Sequence, residues 1–172
     1  MLHQHKRSKS SISDEWWTPH DLFWELVDKY KFLPEIDVCA TEANSLRNRF
    51  FTKKDNSLKR DWIIGKKKRK CWLNPPNKEM GKFIAKAYQQ YKDLRIKTMA
   101  IVPLNIQSSK SFQENVQKPM ERGEKIMVRP IYKRRVFAYR GWKKREGKDV
   151  TSSINGYCVI IFGKSRDYGF RN

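Results

Sequence analysis

The sequence contains few cysteines and histidines, and neither residue type is spaced as in a metal site or a disulfide framework. The three cysteines stand singly beside apolar residues, without a Cys-x-x-Cys pair: Cys39, Cys71 and Cys158. Free thiols in such surroundings pack as small hydrophobic side chains. We therefore expect reduced cysteines, an intracellular (cytoplasmic) protein and no bound metal.

Long apolar runs are also missing. No stretch of the sequence is apolar over the length that a membrane-spanning helix needs. Residues 1–13 are rich in Lys and Ser and lack the apolar segment of a secretory signal. We expect a disordered basic tail over residues 1–13, followed by one folded domain over residues 14–172.

Acidic residues are scarce relative to basic ones. The chain has 38 Lys and Arg residues against 18 Asp and Glu residues, a net charge of +20 at pH 7. Such an excess indicates attraction to a polyanion, and DNA, RNA and an anionic membrane surface all remain open. Although only 38% of the residues are hydrophobic, 13% are aromatic, and large rings can supply the core of one domain.

Hydrophobic periodicity predicts an α/β protein. Thr18 as a cap, Pro19 and Asp21 indicate a helix start, and that helix should end before Pro34. Further helical patterns follow at 80–91 and 109–122, and segment 41–48 is compatible with a helix. Predicted strands cover 35–40, 49–52, 71–73, 98–104, 125–131, 135–139 and 157–162. This order predicts a sheet flanked by helices on both faces, with an antiparallel strand pair at one edge.

The segment Trp72-Leu73-Asn74-Pro75-Pro76-Asn77 joins an apolar strand to an amphipathic helix. Two successive prolines fix φ and remove two backbone donors, so the turn is stiff. The Asn74 side-chain oxygen and the Pro75 carbonyl then offer two acceptors at the carboxyl end of a strand, where open α/β sheets bind ligands. Two such acceptors can hold both hydrogens of an –NH₂ group and orient it for attack on a methyl donor. A tight turn without chemistry is the alternative for Asn-Pro-Pro taken alone, and the position of the motif between a strand and a helix disfavours it.

Four motifs together resemble one family. They are Trp17-Thr18-Pro19, Ile36-Asp37-Val38-Cys39-Ala40, Asp55 with Leu58 and Trp62, and Leu73-Asn74-Pro75-Pro76. In this order they resemble the phage-type DNA adenine-N6 methyltransferase (Dam-type) family over about residues 14–162. The resemblance implies a Rossmann-like class I sheet, S-adenosylmethionine as cofactor, DNA as partner, and methyl transfer to the N6 amino group of adenine.

The resemblance also implies roles for the residues before the first helix. Trp17, Thr18 and Pro19 would hold the amino-acid end of S-adenosylmethionine. Elementary chemistry agrees, because the N-terminus of a helix offers unpaired N–H groups to a carboxylate.

Acidic and small residues after the first two strands are implied to hold the rest of the cofactor. Asp37, Cys39 and Ala40 would form the first turn, where Asp37 accepts from the cofactor's ammonium or a ribose hydroxyl. Asp55 resembles the acidic position near the cofactor's adenine or ribose. Ordinary cap and turn roles remain open for both carboxylates.

The catalytic turn departs from the family pattern at one position. By the resemblance, Asn74, Pro75, Pro76 and Asn77 are catalytic, but the family's motif closes with an aromatic residue that stacks on the extruded base. Here it closes with Asn77. Tyr139 and Trp142 are candidates to replace that ring. The first turn also lacks a Gly-x-Gly motif. The resemblance implies that this absence is normal for the family.

A basic and aromatic segment follows the fifth predicted strand. Residues 129–148 contain nine Lys and Arg residues, one Glu and four aromatic residues. Basic side chains fit phosphates, and rings can stack on a base extruded from a duplex. The predicted DNA contacts are Arg134, Arg135, Tyr139, Arg140, Trp142, Lys143 and Lys144. The alternative for this segment is a solvated basic hairpin. For the other basic run, residues 66–70, the alternative is a turn that only increases solubility.

Three functions remain open on the sequence. The first is an adenine-N6 DNA methyltransferase. The second is an RNA, ribosomal or protein methyltransferase, because the same turn can hold a guanine amine or a glutamine amide. The third is a DNA-binding relative whose catalysis is impaired by Asn77.

Overall fold

The computed structural model describes residues 16–63, 69–132, 138–139 and 156–164 of the 172. Within these ranges the strands are β1 (Trp16–Trp17), β2 (Ile36–Asp37), β3 (Lys70–Leu73), β4 (Lys97–Pro103), β5 (Ile126–Pro130), β6 (Ala138–Tyr139) and β7 (Tyr157–Phe162). The helices are α1 (His20–Tyr30), α2 (Met80–Leu94), α3 (Lys110–Phe112) and α4 (Lys118–Glu121), with a π-helical segment, Gln113–Gln117, between the last two. Three 3-10 helices cover Lys53–Asp55, Asn77–Glu79 and Leu104–Ser108.

Five of these strands form a mixed sheet in the order β2-β3-β4-β7-β5. The first three are parallel, whereas β7 is antiparallel to both of its neighbours, β4 and β5. The predicted α/β class is therefore confirmed. The predicted antiparallel edge pair agrees in part, because β5 and β7 form that edge but β7 also continues antiparallel against β4.

Helices cover both faces of this sheet. Successive side chains of a strand point to opposite faces, so Cys71 and Leu73 pack in the cluster that contains α2, whereas Trp72 packs against α1. The Trp72 and Phe23 rings meet edge to face, with centroids 5.0 Å apart. Strands β3, β4, β5 and β7 thus contribute apolar side chains to two layers of core. In the part of the chain that the structure describes, no helix is long and apolar enough to cross a membrane.

The cysteines occupy this core as expected. Cys71 and Cys158 are buried and Cys39 is half-buried, and all of them are free thiols. Burial raises the pKa of the Cys158 thiol to about 11 and raises the pKa of the Cys71 thiol as well, so both stay protonated. The prediction that they pack as small hydrophobic residues is confirmed.

Helix α1 begins one residue later than the sequence predicts. Its N-cap is Pro19 and no side chain caps it, so the predicted cap by Thr18 and its capping box with Asp21 are wrong. Pro19 instead accepts the first helical bond through its carbonyl, from Phe23 N at 3.0 Å. The helix ends at Tyr30, before Pro34, as predicted.

The segment after β2 does not form the helix that its composition allows. Residues 41–48 make turns and bends, because polar side chains take the amides that a helix would use. The Asn44 side-chain oxygen accepts from Thr41 N at 2.6 Å, and Asp37 accepts from Leu46 N at 3.3 Å. The predicted strand 35–40 shortens to Ile36–Asp37, and Cys39 N donates to the Asp37 side chain just after it.

Among the remaining elements, the predicted strands 71–73, 98–104, 125–131 and 157–162 agree with the structure, whereas 49–52 does not. Strand β4 is buried from Thr98 to Val102, and Ser109 caps the helical segment by accepting from Phe112 N at 3.1 Å. The predicted strand 49–52 reduces to a single parallel bridge between Phe50 and Asp37. Of the predicted strand 135–139, only Ala138–Tyr139 is described, and it pairs with β1 in a separate ribbon. Most of the basic turn 66–70 and all of the predicted tail 1–13 lie outside the described residues.

Candidate active site at the carboxyl ends of β2 and β3

Strand β2 has neighbouring backbone on both sides, and the two neighbours follow it in sequence. On one side β2 pairs in parallel with β3, where Val38 N donates to Trp72 O at 3.0 Å. On the other side Asp37 N donates to Arg49 O at 3.0 Å, next to the Phe50 bridge. After β2 the chain first runs along the side that carries Phe50, and it then crosses to the other side to form β3. Open α/β sheets bind ligands at such switch points, in the crevice at the carboxyl ends of the strands.

A cavity of about 800 Å³ opens at this point. Eight of the residues singled out from the sequence line it: Trp17, Thr18, Asp37, Cys39, Ala40, Asn74, Pro75 and Pro76. They come from three segments far apart in the chain, which the sheet brings together. The volume is within the range of small-molecule sites.

Asp37 is the buried acid of the cavity, with 3% of its surface exposed. Its Oδ1 accepts from Cys39 N at 3.2 Å, and its Oδ2 accepts from Leu46 N at 3.3 Å. Burial raises the pKa of the Asp37 carboxyl to about 7, and the two backbone hydrogen bonds only partly oppose this. A cation beside this carboxylate would stabilise its charged form.

Three lining residues carry buried polar atoms for which the described chain provides no hydrogen-bond partner. They are Thr18 Oγ1, Trp17 Nε1 and Trp72 Nε1. Tryptophan Nε1 can only donate and a hydroxyl can donate or accept, so these atoms suit a ligand with oxygen acceptors. Leaving such groups unpaired is costly, which makes them informative about a ligand.

The Asn-Pro-Pro turn forms one wall of the cavity. Asn74 is half-buried and Pro75 is buried. Pro76 has φ −64° and its carbonyl accepts from Glu79 N at 3.0 Å, which begins the next 3-10 helix. The Pro75 carbonyl accepts no hydrogen bond from the described residues. Asn77 is exposed and lies outside the cavity lining.

Two other residues singled out from the sequence lie outside the lining. Asp55 is exposed, and its Oδ2 accepts from Thr52 N and Thr52 Oγ1, each at 2.8 Å. These bonds lower the pKa of the Asp55 carboxyl. Pro19 serves as the N-cap of α1. In the described structure, therefore, Asp55 acts as a capping residue, while its neighbours Thr52, Lys53 and Asn56 line the cavity.

Sequence reasoning missed several lining residues. Trp72 stands two positions before Asn74, so the alternation of strand side chains was a usable signal for it. Leu46 and Ser57 gave no such signal, because they come from irregular segments. Ser57 is buried and its hydroxyl donates to Val38 O at 2.5 Å, which attaches the wall to the end of β2.

The predicted DNA contacts fall mainly outside the described residues. Arg134, Arg135, Arg140, Trp142, Lys143 and Lys144 lie outside the described residues, and of Tyr139 only the backbone is described. That backbone is nevertheless informative. Strand β6 pairs antiparallel with β1, with Trp17 opposite Ala138, so Ala138 and Tyr139 of this segment border the strand that carries Trp17.

Comparison with known proteins identifies the family. The family model for DNA N-6-adenine-methyltransferase (Dam) matches residues 5–129. A DNA N-6-adenine-methyltransferase of Haemophilus phage HP1 (strain HP1c1) is 32% identical over 102 residues, which cover 59% of this chain and 56% of the relative. One of Escherichia phage T1 is 36% identical over 81 residues, which cover 46% of this chain and 32% of the relative. The chain thus spans about half or less of the length of these relatives. By the extent of the family match, the chain belongs to the DNA N-6-adenine-methyltransferase (Dam) family.

Proposed function

We propose that this protein transfers a methyl group from S-adenosylmethionine to the N6 amino group of adenine in DNA, on a Rossmann-like sheet. One observation carries the proposal. A rigid Asn-Pro-Pro turn shares a cavity with a buried carboxylate and with buried donors that have no partner in the part of the chain that the structure describes. Family membership and the two phage relatives, both named as DNA N-6-adenine-methyltransferases, support the same activity.

The cavity residues fit the amino-acid end of the cofactor. Its ammonium would lie against Asp37, whose carboxylate is 3% exposed. Its carboxylate would accept from the Thr18 hydroxyl and the Trp17 indole, whose polar atoms are buried and have no partner among the described residues. Charge-assisted hydrogen bonds of this kind are roughly twice as strong as neutral ones. Cys39 and Ala40 are small enough to let the ligand approach the backbone.

The Asn-Pro-Pro turn would hold the target amine. When bound, the cofactor supplies an electrophilic methyl group on a positively charged sulfur. The Asn74 side-chain oxygen and the Pro75 carbonyl would accept the two amine hydrogens, which orients the nitrogen and increases its electron density. Such positioning and fixed dipoles can lower the barrier without a strong base. We propose no chemical role for Pro76 beyond stiffening this turn, and none for Asp55.

DNA would approach over the basic segment that borders β1. The net charge of +20 favours a polyanion. We propose that Arg134, Arg135, Arg140, Lys143 and Lys144 contact phosphates, and that Tyr139 or Trp142 stacks on the extruded adenine in the role left vacant by Asn77. The pairing of Trp17 with Ala138 brings one described part of this segment beside a strand that lines the cavity.

A labelling experiment tests the proposal. The protein is incubated with S-adenosylmethionine carrying a radiolabelled methyl group and with duplex DNA, total RNA or ribosomes in parallel. The products are digested to nucleosides or amino acids, and the labelled species is identified. Label in N6-methyladenine from DNA is the expected result. Label in RNA or ribosomal protein, or cofactor binding without any transfer, contradicts the proposal.

A further inference from the structure

A second cleft lies beside the cavity, at the edge of the sheet. It has a volume of about 460 Å³ and is lined by Glu35, Arg47, Asn48, Arg49 and Arg69. Three arginines and one carboxylate thus line the same cleft, although Arg69 is separated from the other two arginines by about twenty residues of chain. Glu35 is ion-paired with Arg69, which lowers the pKa of the Glu35 carboxyl. The cleft therefore retains an excess of positive charge that comes from Arg47 and Arg49.

The backbone that carries Arg47 and Arg49 is fixed on both sides. The Arg47 carbonyl accepts from Ser45 Oγ at 2.6 Å, and the Arg49 carbonyl accepts from Asp37 N at 3.0 Å. Such anchoring reduces the entropy that the two arginines would lose when a ligand binds. The positions of both arginines relative to β2 are thus determined before any partner arrives.

Arg47 has a buried side-chain donor that could bind a ligand. Its Nε atom is buried and has no hydrogen-bond partner in the described chain. Its guanidinium lies over the Trp24 ring, 5.9 Å from the centroid, and Trp24 is 50% exposed. A planar guanidinium beside an exposed ring suits an oxyanion that approaches from solvent, and arginine binds phosphate with a geometry that lysine cannot reproduce.

The cleft and the cavity share one wall. Leu46 lines the cavity and donates its amide to Asp37, and the next residue, Arg47, lines the cleft. A DNA strand whose base entered the cavity would therefore have phosphates near the cleft. An enzyme that extrudes a base needs contacts of this kind on the flanking backbone.

We propose that the cleft formed by Arg47, Asn48, Arg49 and Arg69 binds a backbone phosphate of the DNA strand next to the extruded base. The inference rests on the proposed function for its substrate, and it adds a contact surface beyond the basic segment that the sequence predicts to bind DNA. Arg49 would supply an exposed positive charge and Arg47 a buried donor, and Glu35 would limit affinity because it is paired with Arg69.

The test measures DNA affinity against salt for R49Q and for a matched control, K92Q. Both side chains are exposed, and Lys92 lies on α2, on the other face of the sheet. R49Q should reduce the slope of log affinity against log salt by about 1 and weaken binding several-fold, whereas K92Q should leave both unchanged. Equal slopes for R49Q and wild type overturn the inference.

Two further measurements make the test specific. E35Q should bind DNA several-fold more tightly, a gain that a folding defect cannot produce. An oligonucleotide series with one neutral methylphosphonate at each position should contain a position that weakens wild type but not R49Q. Absence of such a position, or weaker binding by E35Q, also overturns the inference.

The proposed function is tested separately, by assaying the wild-type protein for methyl transfer to DNA. Transfer with equal slopes rejects the cleft alone. A slope that depends on Arg49 without any transfer rejects the proposed activity and keeps the cleft as a DNA-binding site.

Discussion

The Leu46 amide donates to Asp37 Oδ2 at 3.3 Å, which attaches the loop over residues 41–48 to the carboxyl end of β2. This bond and the one from Cys39 N are the backbone donors to the Asp37 carboxyl, and no cationic side chain among the described residues pairs with it. The acid is therefore incompletely stabilised in its charged form. Cofactor binding should depend on its ionisation.

We expect the affinity for S-adenosylmethionine to depend on pH through Asp37. Burial raises the pKa of this carboxyl to about 7, and only the ionised form attracts the ligand's ammonium. Affinity should therefore rise by about tenfold per pH unit as the pH increases toward 7, and level off above it. Calorimetric titration between about pH 5.5 and 8.5 measures this.

The D37N variant provides the control for that measurement. It should bind the cofactor weakly and without the pH dependence. The unligated wild type should also lose stability, relative to D37N, as the pH rises from about 4 to 7, because the folded carboxyl holds its proton over that window and the unfolded one does not. A wild-type affinity that stays flat across the range contradicts the assignment of Asp37.

Thr18→Val should weaken cofactor binding without lowering the free energy of unfolding. Thr18 is 7% exposed, and its hydroxyl is buried and has no partner in the described chain, so the substitution removes an unpaired polar group. We expect unchanged or slightly higher stability, by up to about 1 kcal/mol, and a cofactor affinity lower by roughly tenfold. Chemical denaturation and calorimetry measure the two effects. T18S keeps the hydroxyl and should retain affinity; equal affinities for T18V and wild type would show that Thr18 does not contact the ligand.

Asn74→Ala should abolish methyl transfer without affecting DNA binding. The variant removes one of two proposed acceptors for the target amine, and loss of such a group typically costs about 10²–10³ in kcat. DNA affinity, measured by fluorescence anisotropy, should stay within about twofold because phosphate contacts dominate it. Asn105→Ala, at an exposed position outside the cavity lining, is the matched control and should leave both properties intact. Joint loss of transfer and DNA binding would indicate that Asn74 is structural.

Asn77→Phe should improve use of the DNA substrate. Asn77 is exposed directly after the Asn-Pro-Pro turn, so a ring there costs little stability and is available to stack on an extruded adenine. Stacking is worth about 1–3 kcal/mol per base, which predicts a KM for DNA lower by at least fivefold. Steady-state kinetics with N77A as the control measure the change. If N77F matches N77A, the base stacks on another ring.

Gln90→Leu should loosen the wall of the cavity. The Gln90 amide oxygen accepts from Trp62 N at 2.8 Å, and its Nε2 donates to Asp61 Oδ1 at 2.8 Å. Both bonds hold the segment that carries Ser57 and Leu58 into the cavity lining. The variant should lose about 1–3 kcal/mol in the free energy of unfolding. Gln89→Leu, on the neighbouring exposed position, should change it little; a similar loss in both variants would contradict a specific role for Gln90.

The regular elements were predictable because their signals are local. The stripe from Met80 to Tyr91 and the apolar run from Thr98 identify α2 and β4 from residues that lie two to four positions apart. The start of α1 and the segment 41–48 were mispredicted, because Pro19 and the side chains of Asp37 and Asn44 redirect backbone hydrogen bonds there. Propensity alone does not report such competition.

The sequence by itself determined the strand–helix alternation, the stiff Asn-Pro-Pro corner and the family, since each depends on residue types in a fixed local order. Only the tertiary structure decided which polar groups are left unpaired beside Asp37, that Asp55 serves Thr52 and not the cavity, and that Arg47 and Arg49 meet Arg69 in one cleft. Burial, pKa and charge convergence depend on atoms contributed by distant segments, and the sheet pairing that brings those segments together cannot be read from neighbours along the chain.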